Sequence, residues 1–164
     1  MLAALMGADV KIQYEEKEYK LGALTLKEIA QFVLDYQFRD YEIAKERVKG
    51  LSLELANKII NEEYVRCRDK RWIELDDNGA IIFTKFLSWE TPEVRAFANT
   101  EEGVALQLYY SLKVNHPEIT RDFAIKIVNV KSLNEIFNKI MLAQGLLQED
   151  LNKEPNLGEQ KPNQ

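Results

Sequence analysis

Apolar residues recur along most of this chain at the three- and four-residue spacing of amphipathic helices. The first helix is predicted from Leu26 to Phe38, because Thr25 and Glu28 form a capping box at its start. Its core-facing stripe is predicted to be Leu26, Ile29, Ala30, Val33 and Tyr36. Further helices are predicted over 41–49 and 53–71, and from starts at Thr91, Thr100, Thr120 and Ser132.

Two segments rich in β-favouring residues interrupt this helical pattern. In the second, Asn78-Gly79 suits the positive φ angles of a tight turn, although a helix that begins at Phe83 is an alternative. Hairpins are therefore predicted over 10–14 with 18–21 and over 72–75 with 80–83.

The residues from Val104 to Leu112 are apolar on nearly every side of a helix, which predicts a position in the middle of a bundle. After Leu147 the sequence becomes polar and contains no aromatic residue, so it cannot bury enough surface to offset its ordering entropy. The sequence thus predicts a mainly α, multi-helix bundle over 1–147, with a small N-terminal β-hairpin and a second hairpin near 72–83. A flexible polar tail is predicted over 148–164.

Composition narrows the chemistry that this fold could support. The 164 residues include 22 basic and 27 acidic ones, for a net charge of −5, with one His and one Cys. A single Cys excludes an internal disulfide framework, and there is no Cys/His cluster for zinc. We interpret Cys67 as a buried small hydrophobe and His116, which precedes Pro117, as a structural turn residue.

No arrangement typical of catalysis is visible in the sequence. The glycines lack the spacing of a phosphate-binding loop, and adjacent carboxylates such as Glu62-Glu63 diverge on a helix. Glu101-Glu102 is interpreted as a first-turn pair that complements a helix dipole. We therefore predict a protein that is not an enzyme and uses no metal or cofactor.

The hydrophobic runs are all interrupted by charges before they reach the roughly 18 residues of a membrane span. The apolar start over 1–7 lacks a basic segment and is followed by Asp9, unlike a secretory signal. We therefore expect a cytoplasmic protein that does not associate with membranes.

Basic residues cluster at the end of the third predicted helix: Arg66, Arg68, Lys70 and Arg71. Three helices followed by a hairpin match the order of elements in a winged-helix DNA-binding domain. Cations in a last helical turn are, however, expected from the helix dipole alone, and the chain is acidic overall. The sequence therefore favours a structural role, with nucleic-acid binding as the alternative.

Three aromatic residues, Phe86, Trp89 and Phe97, lie where the apolar pattern is least regular. We predict that they contribute to an exposed apolar patch that binds partner helices. The alternative is that all three rings are buried in the core.

Two stretches resemble bacteriophage tail assembly chaperones. Residues 10–29, VKIQYEEKEYKLGALTLKEI, resemble the short hairpin and Leu-Thr-Leu-(Arg/Lys)-Glu helix with which many of these proteins begin. Residues 102–120, EGVALQLYYSLKVNHPEIT, with 133–136 and 143–145, are similar to the second half of the family. The segment 76–99 lies outside the resemblance.

The resemblance implies a non-enzymatic role in the tail assembly of long-tailed phages. Such chaperones bind the tape-measure protein and recruit tail-tube subunits in the host cytoplasm, and a polar tail like 148–164 is compatible with their frameshift-extended forms. Two other functions stay open: a winged-helix-like DNA-binding phage regulator and a small phage inhibitor of a host defence complex. Homo-oligomerisation is also left open.

Overall fold

The structure is a computed structural model that describes residues 9–145. These residues are mainly helical, with seven helices and two antiparallel hairpins, which confirms the predicted fold class. The predicted tail over 148–164 lies outside the described residues. The elements are β1 (Lys11–Tyr14), β2 (Lys17–Lys20), α1 (Leu26–Gln37), α2 (Arg39–Arg47), α3 (Leu53–Arg68), β3 (Trp72–Leu75), β4 (Ile81–Lys85), α4 (Pro92–Ala98), α5 (Glu101–Lys113), α6 (Arg121–Val130) and α7 (Leu133–Ala143).

Helix α5 lies at the centre of the fold, as its apolar sequence predicts. Nine of its thirteen residues are buried, and α1, α4, α6 and α7 pack around it. The main core joins α5 to β1 through Ile12, to α1 through Phe32, and to the last two helices through residues such as Ile127 and Ile140. One uninterrupted apolar core therefore unites the first and last thirds of the described chain.

The predicted core stripe of α1 is confirmed at Val33 and Tyr36 but wrong at Leu26 and Ala30. Leu26 is 84% exposed and Ala30 is also exposed, whereas Phe32 and Val33 are buried. The observed stripe has the same spacing but begins three residues later, at Ile29, and includes Tyr36. This phase buries the large Phe32 ring, which removes more apolar surface from water than Leu26 and Ala30 would.

Residues 39–86 form a separate layer that we call the arm. Helices α2 and α3 pack mainly on each other, and β3 pairs with β4 while making few contacts with other elements. The buried residues of the arm, Ala44, Val48 and Cys67, do not belong to the main core. Cys67 is buried on α3, as predicted. The arm therefore has little interior of its own.

The N-terminal hairpin is joined to the bundle by the turn between α5 and α6. The backbone N–H of Lys20 donates to His116 Nε2 over 3.0 Å, and the imidazole packs edge-on against Tyr19. His116 thus lies in a turn, as predicted, and accepts a hydrogen bond that orients β2. The hairpin turn itself consists of Glu15 and Glu16, both with positive φ, because Tyr14 pairs directly with Lys17.

Candidate functional site

A surface groove of about 560 Å³ lies among α2, α4, α5 and α6, next to the end of α1. Six of its eleven lining residues are apolar and five are charged, and five of the apolar side chains are left partly uncovered by the main core. These apolar residues are Phe38, Ile43, Phe97, Leu106 and Ile125. The groove is the candidate functional site, because it is a concave apolar surface with charged groups at its edges.

One edge of the groove is defined by an ion pair between α2 and α5. Arg39 Nε donates to both carboxylate oxygens of Glu102, over 2.8 and 2.9 Å, and Arg39 Nη2 lies 2.7 Å from Oε2. The hydrogen bonds that Arg39 donates to Glu102 raise the pKa of Arg39. Glu102 is in the first turn of α5, as predicted, and its carboxylate also connects the beginnings of these two helices.

A second polar cluster lies at another part of the groove and joins α1, α5 and α6. The Tyr110 hydroxyl donates to the carboxylate of Asp35, and Arg121 Nη2 donates to the same carboxylate over 2.9 Å. Burial, with a smaller contribution from Asp35, raises the pKa of Tyr110, so the phenol stays protonated and keeps donating.

Most charged groups that line the groove are therefore paired with one another. Both arginines are paired with carboxylates, whereas Glu42 pairs with Lys45 outside the lining, so the lining residues carry a net charge of −1. The groove therefore presents apolar side chains between two ion pairs, Arg39–Glu102 and Arg121–Asp35.

The three aromatic residues predicted to bind a partner occupy different environments. Phe97 lines the groove and is partly buried against Phe32 and Tyr36, with ring centroids 5.6 and 5.2 Å apart. Trp89 also packs on Phe32, 5.2 Å between centroids, outside the groove. Phe86 is 72% exposed at the end of the arm. Their role in partner binding stays a prediction.

The four basic residues of the nucleic-acid alternative all have partners within the chain. Arg66 pairs with Glu63 and Asp40, and Arg68 pairs with Asp69. The Lys70 ammonium lies 4.5 Å from the centroid of the Tyr36 ring, and the Arg71 guanidinium lies 4.2 Å from that of Phe86. Arg66 and Arg68 are therefore paired with carboxylates, whereas Lys70 and Arg71 contact aromatic rings, and Lys70 connects the arm to α1.

Sequence reasoning did not single out the groove. Asp35 and Arg121 are 86 positions apart, and each resembles an ordinary surface charge in its own helix. The sequence around Arg39 did not indicate its ion pair either, because the partner, Glu102, is on α5. Only the packing of α1 and α2 beside α5 and α6 brings these groups together.

Within residues 9–145, no three His, Cys, Asp or Glu side chains are grouped so that they could hold a metal ion. None of the helices in this range is both long and apolar enough to cross a membrane. Comparisons of the chain with protein-family models, with curated proteins and with solved structures give no match.

Proposed function

We propose that this chain is a non-enzymatic phage tail assembly chaperone that binds a helical segment of the tape-measure protein in the groove. The resemblance of residues 10–29 and 102–120 to that family motivates the proposal. The observation that carries it is the groove itself, an apolar concavity whose edges are built from paired charges. In this proposal the protein acts in the host cytoplasm and also recruits tail-tube subunits.

The shape and chemistry of the groove favour an amphipathic helix as the bound segment. A helix presents apolar residues at i, i+3, i+4 and i+7 along one stripe about 10 Å long, with polar residues on either side. The floor formed by Phe97, Leu106 and Ile125 would receive that stripe. The ion pairs Arg39–Glu102 and Arg121–Asp35 would lie beside its polar flanks, where each can exchange partners with charges of either sign.

A small polar ligand fits this site less well than a helix does. Sites for small molecules hold a few convergent polar groups that are free to orient the ligand. Here the carboxylates of Asp35 and Glu102 and the facing guanidinium groups bond to each other. A ligand that used them would first have to break these pairs, whereas an apolar helix face can cover the floor without doing so.

The test is copurification of the full chain with the tape-measure protein encoded by the same genome, followed by affinity measurement on its helical fragments. Ile125→Glu introduces a charge into the floor at a position that is already half-exposed, so the fold should survive. The matched control is Val130→Glu, an exposed aliphatic residue on the same helix outside the groove. Burial of an aliphatic side chain is worth about 1.5–3 kcal/mol, so Ile125→Glu should weaken binding by at least about tenfold.

Val130→Glu should leave the affinity within about twofold of the wild-type value. Failure of the wild-type protein to bind any tape-measure fragment would reject the proposed function. Equal weakening by both substitutions would instead place the client away from the groove.

A further inference from the structure

The hairpin formed by β3 and β4 is the most isolated element of the described chain. It is antiparallel, with Trp72 opposite Lys85 and Leu75 opposite Ile81, and it packs little against any other element. A two-stranded hairpin on its own is at best marginally stable in water, and stability ordinarily comes from packing one face against something else. A contact that covers at least one face is therefore needed to stabilise this hairpin.

One face of the hairpin is covered by its own side chains. The rings of Trp72 and Phe83 meet edge-to-face with centroids 5.8 Å apart. The Lys85 ammonium lies 4.3 Å from the Trp72 centroid and 5.4 Å from that of Phe83. Cross-strand aromatic and cation–π contacts of this kind stabilise a solvent-facing sheet surface without a further partner.

The opposite face is aliphatic and uncovered. Cross-strand partners share a face, so Ile73 lies beside Thr84 and Leu75 beside Ile81. A register shift between Glu74 and Leu75 leaves Ile82 as an extra residue beside Ile81 in β4. Alternation with Thr84 places Ile82 on the same face, so both isoleucines lie opposite Leu75. Ile73, Leu75, Ile81 and Ile82 are each at least half exposed. Four contiguous branched aliphatic residues form an apolar patch of the kind that marks an interaction surface.

Charges at the two ends of the hairpin have opposite sign. Asp76 and Asp77 lie at the turn, whereas Lys70 and Arg71 lie at the base, immediately before β3. Within residues 9–145, none of these four residues forms an ion pair. Lys70 and Arg71 contact aromatic rings, and Arg71 also donates to two backbone carbonyls, so both keep their positive charge without a carboxylate partner. From Arg71 to Asp77 an extended strand spans about 20 Å. The hairpin therefore has an aliphatic face with a basic group at one end and an acidic group at the other.

A surface of this design is complementary to itself. A two-fold axis that lies in the interface plane and runs perpendicular to the strands would lay the aliphatic face of one copy on that of another and reverse its direction. The acidic turn of each copy then meets the basic base of the other. We propose that two copies of this chain associate through the aliphatic faces of their β3–β4 hairpins, in antiparallel orientation, with Asp77 of each beside Arg71 of the other.

The hairpin shares no residue with the groove, so this proposal and the proposed function fail independently. The test is sedimentation velocity of the full chain at low salt up to about 100 μM, a range in which small interfaces associate. Wild type should shift from monomer to dimer with concentration, and added salt should weaken the dimer. Ile81→Lys should raise the dissociation constant at least about tenfold. Val130→Lys, at an exposed aliphatic position on α6, is the matched control and should not change it.

A charge swap tests the antiparallel orientation of the two hairpins. Recovery in the double variant also distinguishes a lost contact between copies from misfolding. Arg71→Glu alone and Asp77→Arg alone should each weaken the dimer by about threefold, as expected for exposed ion pairs. The double variant should recover most of that loss. Because the two residues are about 20 Å apart within one chain, recovery can come only from contact between copies.

Circular dichroism confirms that each variant is folded. A wild-type chain that stays monomeric throughout the range overturns the proposal. So does a dimer that Ile81→Lys and Val130→Lys affect equally, or a double charge variant weaker than both single ones.

Discussion

The sharpest test of the core concerns Gly103, which lies in the first turn of α5 where α4 ends. A Cβ atom at this position would lie 2.0 Å from the carbonyl oxygen of Phe97 and 2.8 Å from Cα of Ala98. Both are backbone atoms, so no side-chain rotation can relieve the contact. Gly103→Ala therefore requires α4 and α5 to separate by more than 1 Å to reach an ordinary contact distance.

Three contributions set the expected change in the free energy of unfolding: one stabilises the variant and two destabilise it. Ala in place of Gly stabilises a helix by at most about 1 kcal/mol, the value for a helix interior. Overpacking of a well-packed site costs about 1–3 kcal/mol. Separation also stretches the hydrogen bond from Gln107 Nε2 to the Ala98 carbonyl, which is 2.8 Å and worth about 1 kcal/mol. The net expectation is a destabilisation of about 1–3 kcal/mol.

Urea unfolding followed by circular dichroism measures this change, and thermal unfolding should show a fall in Tm of about 3–9 °C. An unchanged m-value would show that the loss comes from the native state. A variant as stable as wild type, or more stable because of the helix-propensity gain, would refute the close packing of α4 on α5.

Four smaller perturbations test other parts of the fold. Thr25→Ala should cost about 1 kcal/mol at pH 7 through loss of the capping box. The hydrogen bond with Thr25 lowers the pKa of Glu28 in the folded protein. The stabilisation is therefore fully present above the pKa of an unfolded Glu, about 4.3, and is lost as the pH falls through the lower pKa of Glu28 in the folded protein. The stability difference between wild type and Thr25→Ala in urea should therefore shrink in acid. Glu16→Gly should stabilise the protein by about 1 kcal/mol, because Glu16 has φ +62°, and an unchanged or lower urea midpoint would count against the two-residue turn. Gln107→Leu should lower the free energy of unfolding by about 1 kcal/mol, because the last-turn carbonyl of α4 loses its buried donor while the partnerless Gln107 Oε1 is also removed. His116→Phe keeps a ring against the hairpin but removes an acceptor, so the amide of the last β2 residue should exchange faster with solvent by NMR, while α7 amides stay unaffected.

The two proposed surfaces are compatible in one assembly. Pairing through β3–β4 would leave the groove of each copy open, because neither the apolar floor nor the ion pairs involve hairpin residues. A dimer would then present two grooves to one long helical client. Linked sites of this kind increase the overall affinity for a client with repeated helical segments without any new contact.

Local signals in the sequence determined most of the secondary structure. Thr25, Ser52, Thr100 and Thr120 each accept a hydrogen bond from the first turn of the helix that they precede, where the capping pattern predicts. The apolar character of α5 on all sides also predicted its central position. These features depend on contacts within about one helical turn or on the composition of a single element, so no knowledge of neighbouring elements is needed.

Tertiary structure decided which faces are covered. The capping box places the start of α1 correctly, yet the exposure of Leu26 and the burial of Phe32 depend on where α5 crosses that helix. The aliphatic residues of β3 and β4 are visible in the sequence, but Ile81 and Ile82 are exposed because the hairpin packs little against other elements. The groove likewise exists only because Asp35 and Arg121 meet across 86 positions. Burial and charge pairing are properties of facing surfaces, and a single chain position does not encode what lies opposite it.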